Sequence, residues 1–203
     1  MAAKSKPAAA LDRRKVVTAL LADRGDLLVV AGLGAPAWDA TAAGDHPLTF
    51  PLWGGMGGAA SIGLGLALAQ PKRRVLVLTG DGEMLMGLGS LATIGVQRPR
   101  NLSVVVLDNE HYGETGMQPS HTRFGIDLAG VAKACGFVSA SKVTTLAAVV
   151  RLRDEIHKAG GPLFAQIKIS PDKLPLVLPP RDGTELKNRF REALLGKEAH
   201  FQR

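Results

Sequence analysis

Two residues of this chain combine suitable atoms and suitable spacing to hold a hard cation: Asp81 and Asn109. Asp81 lies in Gly80-Asp81-Gly82, just past the apolar run Val75-Leu76-Val77-Leu78. Asn109 follows Asp108 at the end of a second run, Leu102 to Leu107. Short apolar runs read as buried strands, and the segment between these two reads as helical. A strand–turn–helix–strand unit of this kind brings a carboxylate and a carboxamide to one edge of a parallel sheet. Oxygen-only donors select Mg2+ or Ca2+ over zinc, and Mg2+ takes few protein ligands beside phosphate and water. Gly82 and Glu83 open the helix, so their free N–H groups and the positive end of its dipole face the same point. A diphosphate bridged by Mg2+ to Asp81 and Asn109 satisfies all these groups together. A capping Asp in a plain turn would explain Asp81 alone, but not the matched Asn109.

The elements around this unit must place it. Val16, Val17, Leu20 and Leu21 recur at helical spacing behind Asp12, a suitable N-cap. Leu27 to Ala31 reads as a strand buried on both faces, Ala59 to Ala69 as a small-residue helix, and Phe137 to Ala140 as a strand. An amphipathic helix over Thr144 to Ala159, a strand over Pro162 to Ile169 and a helix over Glu185 to Leu195 complete the series. This alternation predicts an α/β fold, a doubly wound, mostly parallel sheet with helices on both faces. Gly34, Gly80-Asp81-Gly82 and Asn109 then share the edge where such sheets bind ligands. The expected organisation is a disordered tail over 1–10, one domain over 11–196 and a frayed tail over 197–203.

Composition narrows the function classes. At 203 residues with 46% hydrophobic and 21% charged content, the chain reads as one globular domain. The formal charge of +7 suits an anionic cofactor or substrate. With one Tyr and no basic stripe interleaved with aromatics, nucleic acid is not expected as a partner. The single cysteine, Cys135, makes no intrachain disulfide or zinc site, and its apolar surroundings suggest packing. No secretory h-region and no apolar run long enough for a bilayer is evident, so a cytoplasmic protein with no membrane partner is expected.

Two glycine-rich stretches need weighing. Gly32-Leu33-Gly34-Ala35-Pro36-Ala37 follows a strand and fits the dinucleotide fingerprint G-x-G-x-x-A. Pro36 in the turn, the expected lack of a normal helix before Ala42-Ala43-Gly44, and the missing acidic strand end some twenty residues on argue against a dinucleotide site. Gly54, Gly55, Gly57 and Gly58 surround Met56. Taken alone, that stretch reads as a tight turn with Met56 as core filler.

Gly80-Asp81-Gly82, the 25 residues Glu83 to Leu107, and then Asp108-Asn109 resemble the motif of thiamine diphosphate-dependent enzymes. The stretches GDGEMLMGLGSLATIG and LDNEHYGETGMQPS resemble sulfopyruvate decarboxylase beta subunits and the C-terminal part of phosphonopyruvate decarboxylases. The likeness covers about Leu11 to Leu195. It implies that Asp81, the Asn109 side chain and the His111 carbonyl bind Mg2+, and that Gly82 and Glu83 offer amides to the diphosphate. It also implies that Gly54 accepts from the cofactor's amino group through its carbonyl, and that Met56 is an apolar wedge under the cofactor. Gly34 would approach the diphosphate, with Ala35 where relatives often carry a hydroxyl, and Gly80, Tyr112 and Gly113 would complete the cofactor contacts.

The resemblance further implies a lyase that decarboxylates a small 2-oxo acid, with the cofactor as electron sink. In that family the activating Glu belongs to a pyrimidine-binding domain, and nothing in this chain supplies it. The chain is therefore expected to act in a homo- or hetero-oligomer beside a pyrimidine-domain subunit. His121 and Glu114 lie in the loop over Tyr112 to Thr122, where His121 is a candidate to face substrate, and Arg123 is the cation near that loop. Alternatives are an acetolactate-synthase-like carboligase, a non-catalytic thiamine diphosphate-binding module and, more distantly, a dinucleotide-binding oxidoreductase. Iron–sulfur-linked oxidoreductases of the same cofactor class usually carry several cysteines, which disfavours them here.

Overall fold

The structure, a computed structural model, describes residues 10–158 and 160–201. The tail expected over 1–10 lies outside these residues apart from its last position. Six strands form a parallel sheet: β1 (Leu28–Ala31), β2 (Thr49–Pro51), β3 (Val75–Gly80), β4 (Leu102–Asp108), β7 (Ser139–Val143) and β8 (Leu163–Lys168), in the order β2-β1-β3-β4-β8-β7. A separate two-stranded hairpin, β5 (His111–Tyr112) and β6 (Gln118–Pro119), follows β4. The helices are α1 (Arg13–Leu21), α2 (Ala35–Ala42), α3 (Ala59–Ala69), α4 (Asp81–Met86), α5 (Ser90–Gln97), α6 (Leu128–Ala134), α7 (Leu146–Ile156) and α8 (Gly183–Leu195).

Successive strand side chains alternate between two faces, so each central strand feeds two cores. Leu28, Val30, Val75, Val77, Val104 and Val106 pack with α3, α5, α6 and α8. Val29, Ala31, Leu76, Leu78, Val105 and Leu107 pack with α1, α2 and α7. β3 and β4 are nearly all apolar because both of their faces are covered.

Three local expectations are corrected. A helix, α2, does follow Gly34: Pro36 stands in its first turn, where a missing N–H costs nothing. The strand expected at Phe137 to Ala140 begins at Ser139, because Phe137 instead enters the core edge-on to Phe164 at 5.9 Å. The loop after Tyr112 contains the β5–β6 hairpin and a 3-10 turn over His121–Phe124. After α8, Gly196–His200 forms a 3-10 turn, with Arg191 Nη2 donating to Ala199 O at 3.0 Å. Residues 202 and 203 lie outside the described residues.

Candidate functional site

β1 continues to β2 on one side of the sheet, whereas β3 lies on its other side. The segments leaving β1 and β3 therefore diverge and leave a crevice at the C-terminal strand ends. A cavity of about 200 Å3 opens there. Leu33, Ala35 and Pro36 line it from the β1 side, and Gly80, Asp81, Gly82 and Glu83 from the β3–α4 corner. Asn109, His111, Tyr112 and Gly113 line it from the segment after β4. Met56 and Met86 add apolar surface and are 52% and 61% exposed. Met56 is thus not core filler, contrary to the reading of its stretch in isolation.

The loop that carries Met56 is fixed by close backbone approach. A Cβ on Gly87 would lie 2.1 Å from Gly57 O, so the end of α4 and this loop meet main chain to main chain. Trp53 Nε1 donates to Pro180 O at 2.7 Å, and the Arg181 guanidinium lies 5.7 Å from the Trp53 ring. The extended segment before α8 therefore braces the loop from outside. Gly54 and Gly34 stand beside the cavity rather than on its wall. Gly34 has φ +81°, and a Cβ there would be 2.3 Å from Glu114 Oε1.

Asp81 is 2% exposed and begins α4. Burial pushes its carboxyl up, and the nearby Asp108 charge pushes further against the opposing Ser120 hydrogen bond, to about 6. Ser120 Oγ donates to Asp81 Oδ2, and Thr122 Oγ1 lies 3.2 Å from the same oxygen. Asp108 is fully buried and faces inward: Lys168 Nζ lies 2.7 Å from Oδ2, Gln166 Nε2 donates to that oxygen, and Thr122 Oγ1 donates to Oδ1 at 2.8 Å. Lys168 is lowered by burial but raised more by Asp108 and Glu110, and stays above its ordinary value. Asp108 is therefore an ion-paired anchor beneath Asn109, and Asp81 has no ion pair among the described residues.

Asn109 Oδ1 accepts from the His111 N–H at 2.8 Å, a local turn that directs the chain into the hairpin. The Tyr112 ring lies over Gly82, where a Cβ would come within 2.7 Å of Cδ1, and Tyr112 OH meets His121 Nδ1 at 2.7 Å. His121 is exposed and off the cavity wall. Arg123 is likewise off the wall and ion-paired to Glu110 at 3.2 Å. The Glu83 side chain turns beneath the site, its Oε2 accepting from Thr79 Oγ1 at 2.8 Å, and burial raises its carboxyl against that bond.

Ser120, Thr122, Gln166 and Lys168 are the residues that reading the sequence missed. Their pairings with Asp81 and Asp108 span 14 to 60 positions and leave no local pattern. Met86 was equally hidden, as one apolar residue within a helical run. Among the described residues no three His, Cys, Asp or Glu side chains gather as a metal centre. An ion held here would rest on Asp81 together with amide and carbonyl oxygens.

Comparison with known proteins bears directly on this edge. Residues 35–167 match the family described as "Thiamine pyrophosphate enzyme, C-terminal TPP binding domain". The sulfopyruvate decarboxylase subunit beta of Methanothermobacter thermautotrophicus is 37% identical, over 92% of this chain and 97% of that one. A phosphonopyruvate decarboxylase of Streptomyces viridochromogenes is 37% identical over 82% of this chain but only 42% of its own length. A thiamine diphosphate-dependent 4-hydroxybenzoylformate decarboxylase of Rhodococcus jostii shares the fold, with a TM-score of 0.67 at 19% identity, over 86% of this chain and 35% of that one. The chain thus spans almost the whole of a beta subunit and less than half of the longer relatives. It belongs to the thiamine pyrophosphate enzymes as a C-terminal TPP-binding domain, similar along nearly its full length to sulfopyruvate decarboxylase beta subunits.

Proposed function

We propose that this chain is the thiamine diphosphate-binding subunit of a heteromeric decarboxylase acting on a small 2-oxo acid. One observation carries the reading: Asp81 is a buried carboxylate without an ion pair among the described residues, on the wall of a cavity shared with Asn109. A divalent cation would neutralise it, and an all-oxygen set of Asp81, Asn109 and the His111 carbonyl suits Mg2+. Gly82 and Glu83 would turn their amides to the diphosphate, and Met56 would offer apolar surface to the rest of the cofactor. Bound thiamine diphosphate supplies an electron sink for the electron pair left when a 2-oxo acid loses CO2.

The chain's own residues hold and orient in this reading; proton transfer to the cofactor belongs elsewhere. Glu83 is tied to Thr79 beneath the wall, and Glu114 sits against Gly34. The activating carboxylate is assigned to a pyrimidine-domain partner subunit. The subunit name of the beta relative, and the greater length of the phosphonopyruvate decarboxylase, support this assignment. A sulfonate- or phosphonate-bearing 2-oxo acid is the favoured substrate class, and a cytoplasmic setting is the matching compartment.

Co-purification of the partner, followed by a panel of 2-oxo acids with Mg2+ and thiamine diphosphate, tests the proposal. The complex should release CO2 from a 2-oxo acid of this class, and the lone chain should release almost none. Robust turnover by the lone chain would refute the partner requirement. Carboligation without net release of free aldehyde would favour an acetolactate-synthase-like reaction instead.

A further inference from the structure

Ser120 and Thr122 are two buried hydroxyl residues beside the Asp81 carboxylate. They are 0% and 5% exposed, and the Ser120 Oγ and Thr122 Oγ1 atoms lie 2.9 Å apart. Ser120 occupies the N-cap position of a 3-10 turn, yet its side chain makes no capping hydrogen bond. A serine at that position ordinarily satisfies the turn's own free N–H groups. Here the hydroxyl turns away from its own element and donates to Asp81 Oδ2, 39 positions earlier in the chain. The Ser120 N–H donates to Glu110 O at 2.8 Å, which ties the same residue to the strand end that presents Asn109.

Thr122 extends this link. Its Oγ1 donates to Asp108 Oδ1 at 2.8 Å and lies 3.2 Å from Asp81 Oδ2. Asp108 is itself held by Lys168 and Gln166 from β8, so it is a fixed point. The two hydroxyls therefore connect a rigid frame at the ends of β4 and β8 to one oxygen of Asp81. Both of their contacts to Asp81 fall on Oδ2. The carboxylate is thereby held at one end, with its rotation set by groups that are not on the cavity wall.

We propose that Ser120 and Thr122 are positioning residues that aim the Asp81 carboxylate at a divalent cation. The inference rests on the cation site proposed above and adds the groups that orient it. Partners of metal ligands commonly change metal affinity by about 10- to 100-fold when removed.

The test measures Mn2+ binding to the full chain in the presence of thiamine diphosphate, by loss of the free-ion electron paramagnetic resonance signal. Thr122→Val keeps the shape and removes the hydroxyl, whereas Thr122→Ser keeps the hydroxyl and removes the methyl. Ser120→Ala removes the other donor and serves as an independent arm if Thr122→Val does not fold. Thr122→Val and Ser120→Ala should each weaken Mn2+ binding about tenfold or more, and Thr122→Ser should stay within about threefold of wild type. A role in packing alone would reverse the order of the two Thr122 variants and overturn the proposal. Wild-type affinity in both Ser120→Ala and Thr122→Val would also overturn it, with the cation site left standing. Absence of Mn2+ binding by the wild type would overturn the site reading and this inference with it.

Discussion

Replacing Asp81 with Asn should make the metal-free chain more stable while abolishing its response to cation. The carboxyl is raised from 3.8 to about 6, first by burial and then by the Asp108 charge. A group whose folded value lies above its unfolded value binds more protons in the folded state across that window. Its charged form therefore weakens the fold as pH rises from about 4 to about 6, and the full cost persists above 6. At about 1.4 kcal/mol for each pH unit, that cost is about 3 kcal/mol. Asn has nearly the same shape but no charge, so Asp81→Asn should recover about 1–3 kcal/mol at pH 7.5, less whatever its weaker acceptance from Ser120 loses. For a chain of this size the gain corresponds to about 3–10 °C in the unfolding midpoint. The assay is denaturant unfolding of both proteins in EDTA at pH 4.5 and 7.5, since their difference isolates Asp81 from Asp39 and Glu83, whose values are also raised by burial. Added Mg2+ and thiamine diphosphate should stabilise only the wild type. A variant less stable than wild type at pH 7.5 in EDTA, or an unchanged pH slope, would show that the buried Asp81 charge does not weaken the fold.

Other substitutions probe the surroundings. Gly87→Ala places a Cβ 2.1 Å from Gly57 O, a clash between two main chains, and should destabilise the fold by about 1–3 kcal/mol in thermal unfolding. Met56→Ala removes a side chain that is 52% exposed, so stability should change by less than about 0.5 kcal/mol while calorimetry records weaker thiamine diphosphate binding. His121→Ala breaks only the contact with Tyr112 OH, and should leave Mn2+ affinity within about threefold of wild type.

The edge that carries Asp81 and Asn109 was legible because each stands just past a largely apolar run, and the sheet sends both runs to one edge. Glycine at 54, 55, 57 and 58 also marked the Met56 loop, but that Met56 lines the cavity rather than the core is seen only in the folded chain. What stayed hidden is non-local or very short. β2 has three residues and no periodicity to detect, and the β5–β6 hairpin has two-residue strands joined by a turn that holds Gly113 and Gly116. α2 is easy to discount because the Ala42-Ala43-Gly44 break keeps it short and Pro36 reads as part of a turn, although proline belongs at a helix start. The hydroxyls of Ser120 and Thr122 reach Asp81 across 39 and 41 positions, so only the folded chain reveals them.

A calorimetric titration of the full chain with thiamine diphosphate, in Mg2+ and again in EDTA, tests the cation–diphosphate site most directly. One saturable site per chain in Mg2+, little binding in EDTA, and loss of the Mg2+ dependence in Asp81→Asn are expected. Binding of equal strength in Mg2+ and EDTA, or in wild type and Asp81→Asn, would contradict it.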